Sequence, residues 1–332
     1  MTALRSVLSR RGLLAGTAGL GAVLGLPSLA RGQSFPTRNA TVRAIVPFAT
    51  GGTVTVWGRA YAQAMSELLG ANVVLDNRPG GQGVIGMLAM KGAPRDGSTI
   101  LFTSLSTQVI NPHLMREPPY DPQRELVALA GTLKAPFAMF VGPSFPFRTA
   151  REFFAAATAN PEKYTFGSIS ASTRCSFEML AKRAGIKLTN VPYRNIADLI
   201  SDLLSGRIDL YMTDPPAMIP LLSQGVRLLG AASLSRLAIA PNVPTFDEQG
   251  LTGFEVLSWQ AAYAPAGTPE PVVATLRDAM RRAASTRVVV ETISAAASEP
   301  FNLYGSELAA FERAEYERWG QAIREAGLAG SL

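Results

Sequence analysis

Two residue types that carry much of nucleophilic and metal chemistry are almost absent. The chain has one cysteine, Cys175, and one histidine, His113, among 332 residues. One cysteine rules out an intrachain disulfide. One histidine rules out a zinc site built from several His and Cys ligands. A Ser-His-Asp triad would have to use His113, which sits in the run Asn111-Pro112-His113 and reads as a loop or helix-start residue. No carboxylates cluster at the spacing of a metal site, so the sequence points to no metal and no cofactor. Charge is also sparse. Only 17% of residues are Asp, Glu, Lys or Arg, and regular apolar runs argue against disorder. The formal charge is +6, but Arg5, Arg10 and Arg11 supply three of those charges from a stretch without acids. The remaining 28 basic residues face 25 acidic ones, a bias of +3. That is no nucleic-acid footprint, although it is compatible with an anionic small molecule.

What the chain does have is apolar residues, 47% of the total, ample for a core. Its length suggests two lobes rather than one. Residues 1–32 carry the three parts of an export signal: a charged region from Arg5 to Arg11, an apolar region from Leu13 to Leu29, and small-residue cleavage sites near residues 30–32. Ser9-Arg10-Arg11-Gly12-Leu13-Leu14 looks like a twin-arginine signal. Gly16, Gly19, Gly21, Gly25 and Pro27 interrupt the apolar run and favour cleavage over a membrane anchor. The expected location of the mature chain is therefore the periplasm.

From residue 38 onward, short β-branched strands alternate with helices, the pattern of an α/β fold with sheets flanked by helices. The first block comprises strand Val42–Val46, helix Val54–Leu69, strand Val73–Leu75, helix Gly83–Lys91, and strands Thr99–Phe102 and Phe137–Val141. The second runs from helix Thr149–Ala159 through strand Tyr164–Phe166, helix Arg174–Ala184, strand Leu188–Val191, helix Ile196–Leu204 and strand Ile208–Met212. Helix Ala217–Gln224 and strand Val226–Leu229 complete it, and amphipathic helices near Pro269–Ala284 and Gly305–Ala326 end the chain.

In open α/β sheets, ligands bind beyond the carboxyl ends of the strands, where helix N-termini present free N–H groups. Three such turns concentrate useful groups. The first, from Pro47 to Thr55, offers Phe48, Thr50, Gly51, Gly52, Thr53 and Thr55. Its glycines allow close backbone approach. It lacks the Gly-Lys-Ser/Thr of a phosphate loop and the spacing of a dinucleotide site. The second gathers Ser168, Ser170, Ala171, Ser172, Thr173 and Arg174; four hydroxyls exceed what one helix cap needs, and Arg174 could grip a carboxylate with two hydrogen bonds. The third places Asp214 at a strand end, as a helix cap or a ligand acceptor. Ser104, at another strand end, joins the candidates. Trp57 reads as packing. Cys175, at a helix start beside Arg174, could have a lowered pKa, but no partner suggests a nucleophile.

Ile45-Val46-Pro47-Phe48 with Gly51-Gly52, Asn77-Arg78-Pro79-Gly80, Asp96-Gly97, Val191-Pro192-Tyr193, Asp209-Leu210, Val243-Pro244-Thr245, Ser258-Trp259 and Ala264-Pro265-Ala266-Gly267-Thr268-Pro269 occur in an order that resembles the tripartite tricarboxylate transporter receptors, the Bug family of periplasmic solute-binding proteins. The resemblance spans nearly the whole mature chain. It implies a two-lobed periplasmic-binding-protein (Venus-flytrap) fold of type II-like form, each lobe a mainly parallel sheet flanked by helices. It assigns residues 38–141 and 263–332 to one lobe and 142–262 to the other. It further implies a binding protein, not an enzyme, that captures carboxylic acids and hands them to membrane permease subunits; for this chain a monomer acting on a small dicarboxylic or aromatic acid is expected. A sensor presenting its solute to a signalling receptor is the alternative, and a serine hydrolase a more distant one. The family's Gly-Gly-Pro-x-Asp reads here with Thr53 and Thr55 in place of Pro and Asp, and Arg174 stands where the family has histidine. Those two changes suggest a ligand without an amino group.

Overall fold

A computed structural model describes residues 35–295 and 298–332. The candidate export signal lies outside the described residues. In chain order the elements are β1 (Thr41–Val46), α1 (Thr53–Leu69), β2 (Asn72–Asn77), α2 (Val84–Lys91), β3 (Thr99–Ser104), α3 (Asn111–Leu114), α4 (Pro122–Glu125), β4 (Leu126–Pro136) and β5 (Ala138–Val141). They continue with α5 (Ala150–Ala159), β6 (Thr165–Ser168), α6 (Ala171–Ala184), β7 (Thr189–Pro192), α7 (Ile196–Ser205), β8 (Leu210–Thr213) and β9 (Arg227–Ala231). The last are β10 (Leu257–Pro265), α8 (Glu270–Ala283), α9 (Arg287–Ala295), β11 (Glu299–Pro300) and α10 (Ser306–Glu325).

The strands form two sheets, ordered β11-β4-β10-β3-β1-β2 and β7-β6-β8-β5-β9. Each sheet carries one lobe of the two-lobed α/β fold. The chain crosses from the first lobe to the second at Phe137, between β4 and β5, and returns at Val256, just before β10. The crossings run side by side: the Phe137 N–H donates to the Val256 carbonyl at 2.9 Å, and the Phe137 carbonyl accepts from Ala232 at 2.7 Å. The boundaries therefore fall at Phe137 and Leu257, not after Val141 and before Tyr263. The expected strand Phe137–Val141 lies in the second lobe, and Leu257–Ala262 in the first.

The sheets are mixed rather than mainly parallel. Pairing is parallel among β1, β2 and β3 and among β6, β7 and β8. The strand next to each crossing, β10 in one sheet and β5 in the other, is antiparallel to both neighbours. A strand arriving from the other lobe enters against the direction of the βαβ strands, so both of its pairings are antiparallel.

The first lobe's helices cover both faces of its sheet. On one face α1, α8 and α9 bury Trp57, Tyr61 and Met65 with Val273, Leu276 and Met280. Trp57 is a packing residue, 4.8 Å from Phe102 between ring centres. On the other, α10 backs β10. One stripe of α10 supplies Glu312, Glu315 and Trp319, a spacing that puts all three on one side of a helix. The Glu315 carboxylate accepts from Trp259 Nε1 at 3.2 Å and Trp319 Nε1 at 3.3 Å and pairs with Arg318 at 2.6 Å. The Tyr263 hydroxyl donates to Glu312 Oε1 at 2.6 Å. These bonds hold Trp259 and Tyr263 away from the opposite face of β10, where Ser258 and Gln260 point.

Burial pushes the Glu312 carboxyl from 4.5 up to about 7. Below 4.5 the folded and unfolded chains both hold the proton, and Glu312 costs nothing. As pH rises toward 7 the folded chain must either keep a proton that the unfolded chain has lost or bury a charge, so stability falls. Glu312→Gln keeps an acceptor for Tyr263 and escapes that cost. Thermal unfolding should show the variant equal to the parent near pH 4 and more stable above pH 7, by roughly 3 kcal/mol. Equal melting temperatures at pH 8 would contradict this.

Candidate functional site

Between the lobes lies a cavity of about 900 Å³. The first lobe supplies three turns at strand ends: Phe48, Ala49 and Gly52 to Val54 after β1, Pro79 to Gly83 after β2, and Ser104-Leu105 at the end of β3. The second lobe supplies Ile169, Ser170, Ser172 and Thr173 at the start of α6, and Pro192 to Ile196 at the start of α7. The floor is made where the crossings meet, by Phe137, Tyr211, Thr213, Asp214, Ser258 and Gln260.

The walls favour anions. Gly52 is the residue before α1 and has no side chain to cap it, so the Thr53 and Val54 N–H groups are left to solvent or ligand, while that of Thr55 donates to the Gly52 carbonyl. The opposite turn is a run of left-handed residues, with φ of 121° at Gly80, 56° at Gly81, 58° at Gln82 and 97° at Gly83. Within it the Gly83 N–H donates to the Gly80 carbonyl at 3.0 Å, which leaves those of Gly81 and Gln82 for a ligand. A side chain at Gly83 would place its Cβ 2.8 Å from Thr107 Cγ2, so this position needs glycine for space as well as for its φ. In the second lobe Ser170 caps α6 together with Thr173, and Asn195 caps α7 through the Asp198 N–H at 2.9 Å. Arg194 and Asp214 are the charged residues among those lining the cavity.

Asp214 ties the lobes together. Its Oδ1 accepts from Thr53 Oγ1 at 3.2 Å and from Thr213 Oγ1 at 3.0 Å. Its Oδ2 accepts from Ser258 Oγ at 3.4 Å and Gln260 Nε2 at 3.3 Å. Thr53 belongs to the first lobe, Thr213 to the second, and Ser258 and Gln260 to the returning crossing. Burial pushes the Asp214 carboxyl above its ordinary value, and hydrogen bonds from Thr213, Thr53 and Ser258 pull against that. A second contact between lobes joins hydroxyls: Ser106 Oγ donates to Ser172 Oγ at 2.7 Å, and Ser170 Oγ lies 3.1 Å from Ser172 Oγ.

Of the residues singled out in the sequence, Phe48, Gly52, Thr53, Ser104, Ser170, Ser172, Thr173 and Asp214 line the cavity. Asp214 makes no side-chain cap, so the helix-cap reading falls. Thr50, Gly51, Thr55, Ser168, Ala171 and Arg174 are not in its lining. Thr55 turns inward, donating to the Ala49 carbonyl and accepting from Asn77, and so braces the first turn from behind. Ser168 donates to Asn190 within the second sheet. Arg174 is displaced because α6 starts at Ala171 rather than at Arg174. That start puts Arg174 in the body of the helix, 3.9 Å from Glu178 one turn on. With neither Thr55 nor Arg174 in the lining, the exclusion of an amino group does not follow from them. Cys175 has no lowered pKa: fully buried, its thiol is pushed up to about 12. His113 packs on Tyr316, with its Nε2 2.9 Å from the Tyr316 carbonyl, and takes no part in the cavity.

Sequence reading missed Arg194, Asn195, Tyr211, Ser258 and Gln260. The one available signal was alternation around Trp259: if the tryptophan packs inward, Ser258 and Gln260 face the other way. No group of three or more His, Cys, Asp or Glu residues among those described could hold a metal ion. No helix among the described residues is long and apolar enough to cross a membrane.

Comparison with known proteins agrees with this geometry. Residues 58–328 match the profile of the family described as "Tripartite tricarboxylate transporter family receptor". A UPF0065 protein from the tcbD-tcbE intergenic region of Pseudomonas sp. (strain P51) is 35% identical over 322 residues, covering 96% of this chain and 95% of its own. The solved structure of R. palustris Rpa4515 with adipate superposes with a TM-score of 0.84 at 28% identity, covering 89% of this chain and 99% of that one. MatC (Rpa3494) from Rhodopseudomonas palustris with bound malate gives a TM-score of 0.81 at 26% identity, covering 87% and 100%.

Proposed function

The chain belongs to the tripartite tricarboxylate transporter receptors, the Bug family of solute-binding proteins, and from that premise we propose that it captures a small carboxylate in the inter-lobe cavity and delivers it to the membrane subunits of such a transporter. In this reading the mature chain works in the periplasm as a monomer, and its ligand is a dicarboxylic or aromatic acid. The observation that carries the proposal is the pairing of the uncapped start of α1 and a left-handed glycine turn around one cavity between two lobes. A carboxylate there would accept N–H donors from the start of α1 and from the Gly80–Gly83 turn. Arg194, exposed at the start of α7, would add positive charge from the other lobe. Closing the lobes would replace the ligand's water with fixed donors and give the permease a distinct shape to recognise. No nucleophile or general base is needed, and the buried thiol and the distant histidine supply none.

The test is a thermal-shift scan of the purified protein against mono-, di- and tricarboxylates and aromatic acids, with adipate and malate included. Ligand at about a hundred times its dissociation constant should stabilise the fold by roughly 2.7 kcal/mol. A library in which amides stabilise the protein and their parent acids do not would overturn the carboxylate reading.

A further inference from the structure

The left-handed turn that offers its Gly81 and Gln82 N–H groups to the cavity does not hold its own shape. Gln82 adopts φ 58° and ψ 27°, a conformation that costs energy in any residue with a Cβ. The next peptide joins Gln82 to Gly83, and glycine accepts φ of either sign. Rotating that peptide by half a turn would therefore meet little resistance from Gly83 itself. Two hydrogen bonds oppose the rotation. The Gly83 N–H donates to the Gly80 carbonyl at 3.0 Å, and the Gln82 carbonyl accepts from Asn111 Nδ2 at 2.8 Å. The Asn111 amide has one orientation here, because the reverse would set its oxygen against the Gln82 oxygen.

Asn111 is fully buried and is not among the residues lining the cavity, so it reaches the turn from behind. It follows directly on a single π-helical turn, Ser106–Ile110, a form often found at functional sites. That segment is itself anchored. The Tyr120 hydroxyl donates to the Thr107 carbonyl at 2.9 Å, and Thr107 Oγ1 lies 2.7 Å from Thr103 Oγ1. Thr107 also backs Gly83, where an added Cβ would come within 2.8 Å of its Cγ2. One short helical segment thus supports two successive residues of the turn, Gln82 through a hydrogen bond and Gly83 through close packing.

Resting on the carboxylate-capture reading above, we propose that Asn111 is a positioning residue for ligand capture: without touching the ligand, it holds the Gln82 carbonyl turned away from the cavity. Removing its donor frees the Gln82–Gly83 peptide to rotate. The Gln82 oxygen then leaves the Asn111 side for the cavity side, where it repels a carboxylate. The same rotation breaks the Gly83–Gly80 hydrogen bond and loosens the turn that aims the Gly81 and Gln82 N–H groups. The start of α1, which the Asn111 amide does not touch, keeps its own Thr53 and Val54 donors.

Isothermal titration and amide NMR spectra of the purified protein test this, with adipate, malate and benzoate as probes. In the parent, the tightest-binding of the three should shift the Gly81 and Gln82 amides together with those of Thr53 and Val54. Asn111→Leu removes the donor at similar volume, and Asn111→Ala removes it without overpacking. In both, affinity should fall about tenfold or more. The Gly81 and Gln82 amides should lose their ligand-induced shifts while Thr53 and Val54 keep theirs. Without ligand, the Gly83 amide hydrogen should exchange with solvent at least about tenfold faster than in the parent, because its bond to Gly80 opens as the peptide rotates. Parent affinity or unchanged Gly83 exchange in either folded variant would overturn the positioning role and leave carboxylate capture standing. Equal loss of shift at all four amides, with an earlier melt, would overturn it too, by tracing the effect to the whole lobe. If none of the acids shifts any of the four amides in the parent, carboxylate capture at these turns falls, and the positioning role with it.

Discussion

Truncating Asp214 to alanine should weaken carboxylate binding by roughly 10- to 100-fold. The carboxylate is the shared acceptor for a helix start in the first lobe, a strand end in the second and the crossing that joins them. Alanine leaves the Thr53, Ser258 and Gln260 donors facing a gap, and the lobes lose a contact that favours the closed arrangement over an open one. The ligand's apparent affinity then falls by the fraction of molecules no longer able to close. Asp214→Asn keeps one acceptor oxygen and should lose less. The pair also separates charge from structure. Among the described residues lining the cavity, Asp214 is the one group that changes charge between the carboxylate and tyrosine ranges. Tyr193 is pushed up to about 12, and burial raises Tyr211 further. Burial already holds the Asp214 carboxyl above 3.8, and an anion bound nearby would hold its proton more firmly. Binding therefore takes up a proton, and affinity falls as pH rises through the raised range in which the unliganded Asp214 carboxyl titrates. Titrations across that range should show the slope in the parent and a flatter curve in Asp214→Asn, after correction for the ligand's own ionisation. An unchanged slope in the variant would move the proton uptake away from Asp214.

The walls of the cavity were legible in the sequence, and its floor was not, for a physical reason. The wall residues Gly52, Thr53, Ser170 and Ser172 sit at junctions where a β-branched strand gives way to a helix, and such junctions announce themselves through glycines and excess hydroxyls. Tyr211, Ser258 and Gln260 lie within strands. What makes them functional is that two crossings, more than a hundred residues apart in the chain, meet at the Phe137–Val256 hydrogen bond, and no local pattern encodes that meeting. Arg174 was misplaced by a shorter-range effect. Ser170 and Thr173 cap the helix reciprocally, so α6 begins one turn earlier than the arginine suggested. The long strand β4 escaped notice because Leu126–Pro136 mixes Ala, Gly and Thr without alternation. Its partner β10 covers it along most of its length, and pairing rather than propensity makes it a strand. Helix α9 is the reverse case: Val288, Val289, Val290, Thr292 and Ile293 are β-branched residues of poor helix propensity, held helical by burying Val289 and Ile293 against the first lobe's core.

Gly142→Ala should lower the melting temperature by ~2–8 °C and weaken ligand binding at the same time. Gly142 follows β5 directly and is buried. An added Cβ would lie 2.0 Å from the Leu203 carbonyl oxygen and 3.1 Å from its carbon. That oxygen belongs to the backbone of α7, so no side-chain rotation relieves the clash; the helix or the strand end must move. The alanine also stiffens the unfolded chain, which favours folding by only about 0.4–1 kcal/mol and is outweighed by overpacking of about 1–3 kcal/mol. The functional consequence follows from where the other end of α7 lies. Asn195 caps that end, and Asn195 and Ile196 form part of the cavity wall. A shift that makes room at Leu203 is carried along a rigid helix into the wall, so the loss of affinity should be measurable even at temperatures where the variant is fully folded. Gly92→Ala is the control. Its added Cβ would meet nothing closer than 3.7 Å, at a φ of −83° that alanine accepts. If both alanine variants melt with the parent, the contact between β5 and α7 is softer than its geometry requires. If Gly142→Ala melts early but binds with full affinity, α7 adjusts near Leu203 without moving its cavity end.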